Sequence, residues 1–142
     1  MSREQIADLV HRYADAVVHR DAATWTATWT PTATWELAPG RRVEGRDDIV
    51  GLWNRAMDGF AAVVQTVSNG AAELDEAAGS GTGRWYVTEH WKRADGTGGI
   101  LLAYYDDRYT RADGTWVFSK RSLVVLYQGA ADLSGDFLAP SS

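Results

Sequence analysis

Residues 12–49, RYADAVVHRDAATWTATWTPTATWELAPGRRVEGRDDI, constrain this chain more than any other stretch. They encode a helix, a sharp stop, a short second helix, a strand pair and a third helix, the order that builds a cone-shaped pocket. Ser2 and Gln5 have capping-box spacing, and Ile6, Leu9, Val10, Tyr13 and Val17 then recur at helical intervals, with Asp8, Arg12 and Asp15 on other faces. Asp21 is placed to cap a second helix that sets Trp25 and Trp29 one turn apart, and Pro31 stops it. Residues 33–37 and 42–44 flank Pro39-Gly40 as a small hairpin. Over residues 46–59 the stripe Ile49, Leu52, Trp53, Ala56, Met57, continued by Phe60, predicts a third helix.

From residue 61 the pattern becomes β. Runs at about 63–73, 82–93, 99–111 and 116–128 are joined by Gly79-Ser80-Gly81, Asp95-Gly96 and Asp113-Gly114, which predicts long antiparallel strands. A turn at Asn69-Gly70 would leave short strands on either side, so a bulge that bends the sheet is expected there. The reading is an α+β single domain over residues 1–128, three N-terminal helices packed on a strongly curved antiparallel sheet. Residues 129–142 are rich in Gly, Ala, Ser and Pro, and form a loosely held tail anchored by Leu133, Phe137 and Leu138.

Composition removes several function classes. The net charge is −5 and the basic residues are scattered among acids, so no electrostatic footprint for nucleic acid is expected. With no cysteine, and with His11, His19 and His90 lacking ligand spacing, a metal enzyme is not expected. There is no leader pattern and no apolar run near the ~20 residues that span a bilayer, so the expected location is the cytoplasm, with no membrane contact. Seven Trp and six Tyr supply large, stiff apolar walls suited to a flat or polycyclic hydrophobic ligand.

The segment 12–36, and Gly45-Arg46 leading into the third helix, resemble the SnoaL-like proteins of the nuclear transport factor 2 and ketosteroid isomerase superfamily, whose members are dehydratases, isomerases, cyclases and non-catalytic binders. In the ungapped register, the resemblance puts Tyr13 on the tyrosine that hydrogen-bonds the developing enolate oxygen in ketosteroid isomerase. Leu37 stands where that enzyme has its general-base aspartate, and it cannot take a proton. The dehydratases and the dehydrochlorinase use an aspartate late in the first helix and a histidine on the first long strand. Here those positions hold Val18 and Gln65. Gln65 can orient a carbonyl or hydroxyl, although an amide is no base. Arg121, in W-x-F-x-x-R from Trp116, matches a pocket arginine of the dehydrochlorinases, or else forms a salt bridge with Asp107 or Glu89.

His90 shares a strand face with Tyr86 and Thr88. If that face lines the pocket, His90 replaces the missing base; if not, Glu89 and Trp91 point inward. The candidate catalytic residues are therefore Tyr13, Gln65, His90 and Arg121. The expected walls are Val18, Trp29, Trp35, Leu37, Trp53, Met57, Phe60, Asn69, Tyr86, Tyr105, Leu123 and Val125, with Tyr13, Trp53, Met57, Gln65 and Leu123 sharing one cavity. Asp106 and Asp107 point to opposite faces and are not a carboxylate pair. The resemblance implies a cofactor-independent isomerase, cyclase or lyase for a hydrophobic cyclic or polyketide-like molecule. A non-catalytic binding protein and a structural chain like a dioxygenase small subunit stand as alternatives. Apolar outer strand faces imply a homodimer or homotrimer.

Overall fold

The computed structural model describes residues 2–140. In chain order the elements are α1 (Ser2–His19), α2 (Ala22–Ala27), β1 (Trp29–Ala38), β2 (Arg41–Glu44), α3 (Arg46–Asp58), β3 (Phe60–Asp75), β4 (Ser80–Arg93), β5 (Gly98–Ala112) and β6 (Thr115–Gly129). The strands form one sheet in the order β2-β1-β6-β5-β4-β3, with α1 packed across β3 and β6. All neighbours are antiparallel except β1 and β6, which run parallel, so the sheet is mixed. Turn signals set the direction only of strands adjacent in sequence, and no turn joins β1 to β6.

The first helix buries the expected face, Ile6, Leu9, Val10, Tyr13 and Val17. Ser2 is already helical, and the residue before it lies outside the described residues. Arg20 ends α1 with a left-handed φ of 55°, uncommon for a residue with a side chain. Its guanidinium donates to the Met57 and Phe60 carbonyls, which ties the end of α1 to the junction of α3 and β3. Asp21 caps α2 as expected, accepting from the Thr24 N–H at 3.1 Å and its hydroxyl at 2.6 Å. Two boundaries differ from expectation. Trp29 begins β1 instead of closing α2, and Phe60 begins β3 instead of closing α3. Pro31 lies within β1, where the pairing with β6 is interrupted between Trp29 and Thr34, so its missing N–H costs no ladder bond.

The sole buried side chain of α2 is Trp25, which packs at the centre of the helical layer. It stacks on Trp53 at 4.5 Å and meets Trp35, Tyr13 and Trp29 at 5.4, 5.4 and 5.7 Å. A short helix of marginal intrinsic stability is thus held by one large apolar anchor. In the sheet, β3 runs unbroken through Asn69-Gly70, with the expected bulge between Val67 and Gly70. A Cβ at Gly70 would lie 2.4 Å from the Trp85 ring, so this close strand approach requires glycine. The tail after β6 has no helix or strand through residue 140, and Ser141 and Ser142 lie outside the described residues. Phe137 packs on Tyr127 at 4.8 Å, and the Leu138 N–H donates to the Leu126 carbonyl at 2.7 Å.

Beneath the helices lies a buried ion pair. Asp107 and Arg121 are direct cross-strand partners on β5 and β6. The guanidinium donates to both carboxylate oxygens, at 2.7 and 3.2 Å. Tyr109 donates to Asp107 at 3.1 Å and accepts from the Trp85 indole at 2.9 Å. Burial alone would lower the Arg121 pKa, but Asp107 outweighs it and the guanidinium stays charged. Removing one partner of such a pair leaves an unpaired buried charge. Arg121→Met is therefore expected to cost about 3–5 kcal/mol in urea unfolding, with Asp107→Asn in the same chain restoring part of the loss.

Candidate functional site

Between α1, α3 and the concave face of the sheet lies a chamber of about 180 Å³. Each element supplies its inward residues. Tyr13 and Val17 come from α1 and Trp53, Ala56 and Met57 from α3; Trp35 and Leu37 come from β1 and Phe60, Val63 and Gln65 from β3. Val87 and Glu89 on β4, Tyr105 and Leu101 on β5, and Leu123 and Gln128 on β6 complete it. Leu37, Leu123 and Gln128 also border a wider space of about 720 Å³, closed by Pro39, Val125 and the tail residues Asp136, Leu138 and Ala139. Two other recesses, of about 770 and 470 Å³, pass over Thr82 and Arg108 and share no lining residue with the chamber.

Tyr13, Trp53, Met57, Gln65 and Leu123 all line the chamber, as do Trp35, Leu37, Phe60 and Tyr105. Other expected residues lie elsewhere. On β4, Val87 and Glu89 face inward, so alternation turns Tyr86 and His90 to the opposite face; His90 is exposed and Tyr86 packs on Tyr104 at 5.4 Å. Val17 faces the chamber instead of Val18, because it lies one helical turn beyond Tyr13. Trp29 is buried in the aromatic core against Tyr13, Trp25, Trp35 and Phe118. Asn69 is exposed at the bulge, accepting from Ser68, and Val125 reaches only the wider space.

Arg121 does not line the chamber. It stacks behind the wall, with its guanidinium carbon 3.9 Å from the Tyr105 ring centre, 4.2 Å from Phe118 and 4.5 Å from Tyr13. The extra β6 residue between Phe118 and Arg121, where the ladder with β5 shifts, keeps both side chains on the inner face. Burial raises the Tyr13 pKa well above the ordinary phenol value, with Tyr105 adding to the shift and Arg121 opposing it. Tyr105 is raised for the same leading reason. Both phenols stay protonated, and a hydrogen bond between their hydroxyls raises Tyr13 and lowers Tyr105, which leaves one of the two protons to be donated into the chamber.

The chemically distinctive group is Glu89. Its carboxylate accepts from Gln65 Nε2 at 2.9 Å, and burial raises its pKa, with that hydrogen bond opposing. Gln65 Oε1 is buried without a partner. Sequence reading left Glu89 as one of two alternatives; the signal that selects it is the alternation Trp85, Val87, Glu89, Trp91, in which large apolar residues mark the inner face. Among the described residues no cluster of His, Asp and Glu is suited to a metal, and no helix is long and apolar enough to cross a membrane.

A chamber of aromatic walls with one carboxyl, set between α1, α3 and a curved mixed sheet and open toward the wider space, is the candidate small-molecule site. The SnoaL-like domain pattern matches residues 1–122, and the chain belongs to that family. Among solved structures it is similar to LinA, at 26% identity over 99% of this chain and 95% of that one, with a TM-score of 0.82. A LinA-type3 hexachlorocyclohexane dehydrochlorinase from Novosphingobium barchaimii is 22% identical over 99% and 95% of the two chains, with a TM-score of 0.81. A scytalone dehydratase-like protein of Novosphingobium aromaticivorans is 19% identical over 96% and 91%, with a TM-score of 0.83. No curated protein matches the sequence.

The Glu89 environment carries a pH signature. A carboxyl whose folded pKa lies above its unfolded value binds its proton more tightly in the folded state, so stability is lost as pH rises between the two values. Glu89→Gln removes this loss. Thermal unfolding is expected to show the variant more stable than the parent at pH 8, with the difference shrinking toward pH 4.

Proposed function

We propose that the chain is a cofactor-independent acid–base enzyme, an isomerase, cyclase or lyase, acting on an uncharged hydrophobic cyclic molecule held in the chamber. The observation that carries this reading is the Glu89 carboxyl, set in an aromatic chamber and held by Gln65. A buried carboxyl with a raised pKa takes and returns protons nearer neutral pH than an exposed one. It occupies a different strand from the vacated histidine position at Gln65, and Gln65 becomes the group that orients it. A desolvated carboxyl opposite two phenols is the combination that proton transfer at a carbonyl compound needs, which supports chemistry beside retention of a ligand.

In the common first step, the Glu89 carboxylate removes a proton from a carbon beside a carbonyl, and the C–H electron pair moves through the carbon–carbon bond onto the carbonyl oxygen. Tyr13 or Tyr105 stabilises that oxygen by donating a hydrogen bond. Where the substrate carries a carbon–carbon double bond β,γ to the carbonyl, the enolate is a conjugated dienolate, and isomerisation completes when the protonated Glu89 returns its proton to the γ carbon as the carbonyl reforms and the double bond moves into conjugation with it. Arg121, behind both phenols, holds their rings and keeps a positive charge beside the developing anion. Self-association through the outer sheet face, around Val64 and Tyr86, is part of the same reading.

Deuterium incorporation beside the carbonyl of small cyclic ketones, followed by NMR in D2O, tests the step without the natural substrate. Exchange is expected to fall by at least about 100-fold in Glu89→Gln, the contribution of a general base, and to be unchanged in His90→Ala. Its pH profile should rise with an inflection above the ordinary carboxylate range. Exchange that survives in Glu89→Gln, or none above buffer in the parent, would overturn the proposal.

A further inference from the structure

The chamber also bears on what enters it, an inference that rests on the proposed function and names the substrate class. We infer that the reacting end of the ligand is a single uncharged ring of about six members bearing both a hydroxyl and a carbonyl, and that any further apolar part lies in the wider space beyond Leu37 and Leu123.

Size sets the first limit. An apolar cavity of about 150 Å³ accommodates benzene, so the chamber's 180 Å³ takes one such ring with its substituents and not two fused rings. The wider space of about 720 Å³, reached past Leu37, Leu123 and Gln128, has room for a longer apolar portion.

Unpaired polar atoms set the second limit. Among the described residues, Gln65 Oε1 and Trp35 Nε1 are the buried side-chain atoms of the chamber wall that lack a hydrogen-bond partner. Both residues are more than nine-tenths buried, at 8% and 7% exposure. The other unpaired indoles, on Trp25, Trp29, Trp91 and Trp116, belong to side chains outside the chamber. Buried polar groups in a folded protein find partners, and in a ligand site the ligand is that partner. Because Gln65 Nε2 is committed to Glu89, the amide is oriented with its oxygen as the free acceptor, which calls for a ligand donor next to Glu89. The Trp35 indole can only donate and calls for a ligand acceptor. The Trp35 N–H points toward the Tyr105 hydroxyl closely enough to lower the Tyr105 pKa, but it falls short of hydrogen-bond geometry there, so a ligand oxygen beside Tyr105 can take it as a donor. Trp35 on β1 and Gln65 on β3 both line the one chamber, and Tyr105 interacts with both Trp35 and Glu89, so the acceptor site lies within the same small space as the carboxyl.

Charge sets the third limit. Glu89 on β4 repels an anion. The groups facing it from the other walls are the neutral Gln65 on β3, Tyr13 on α1 and Tyr105 on β5, with the fixed Arg121 cation on β6 directly behind the phenols. That cation opposes a cationic ligand.

The test is binding, read by tryptophan fluorescence, since Trp35 and Trp53 line the chamber. The probes are 4-hydroxycyclohexanone, cyclohexanone, cyclohexanol, methylcyclohexane and cyclohexylammonium, titrated into the parent and into Glu89→Gln. 4-Hydroxycyclohexanone is expected to bind at least about tenfold more tightly than every other probe. Gln65→Leu should remove the preference over cyclohexanone, and Trp35→Phe the preference over cyclohexanol. Equal binding of methylcyclohexane or tighter binding of cyclohexylammonium overturns the inference, and the series on the parent decides this even where a variant fails to fold. Discrimination in Glu89→Gln without ketone exchange in the parent would retain the ligand class and reject the acid–base reading. Exchange without discrimination would do the reverse.

Discussion

The buried Arg121–Asp107 pair is the constraint on which the rest of the molecule depends. Two charges removed from water are tolerable only when each is paired and the remaining hydrogen-bonding capacity is used. Here the pair is met edge-on by the fork of the guanidinium, extended by Tyr109 and Trp85, and covered by the faces of Tyr105, Phe118 and Tyr13. The same stacking that covers the charge sets the angle of the two phenols lining the chamber. A feature that adds little net stability on its own thereby positions the site.

Trp25 has the corresponding role on the helical side. It joins α2 to α1, α3 and β1 through aromatic contacts with Tyr13, Trp53 and Trp35, all three of which also face the chamber. The walls are therefore continuous with the core. Such a site is stiff, which suits a catalyst that must hold a substrate within reach of one carboxyl. Glu89 is the element that works against stability. Its desolvation disfavours the charged form in the folded state, a cost of the kind that collects at functional sites.

Much of the fold was legible because its elements are marked locally. The stripes of the first and third helices, the Asp21 cap, the turn dipeptides and the bulge at Asn69-Gly70 each reflect a few neighbouring residues obeying a backbone rule. The exceptions, Trp29 and Phe60 at element ends, fall where strand pairing competes with helical continuation. Of the candidate site, Tyr13, Gln65, Trp35, Trp53 and Tyr105 were placed by pattern and resemblance together. His90 was assigned with its face undetermined, since a strand's alternation gives two faces but not which one is covered.

The sequence by itself determined the helices and the long strands, because these depend on residue identity and short-range spacing. Tertiary structure alone decided three things: that β1 lies parallel to β6, that Arg121 turns from the pocket to Asp107, and that Glu89 is the carboxyl inside. Each depends on which surfaces the helices cover, and that is settled only when segments distant in the chain exclude water together.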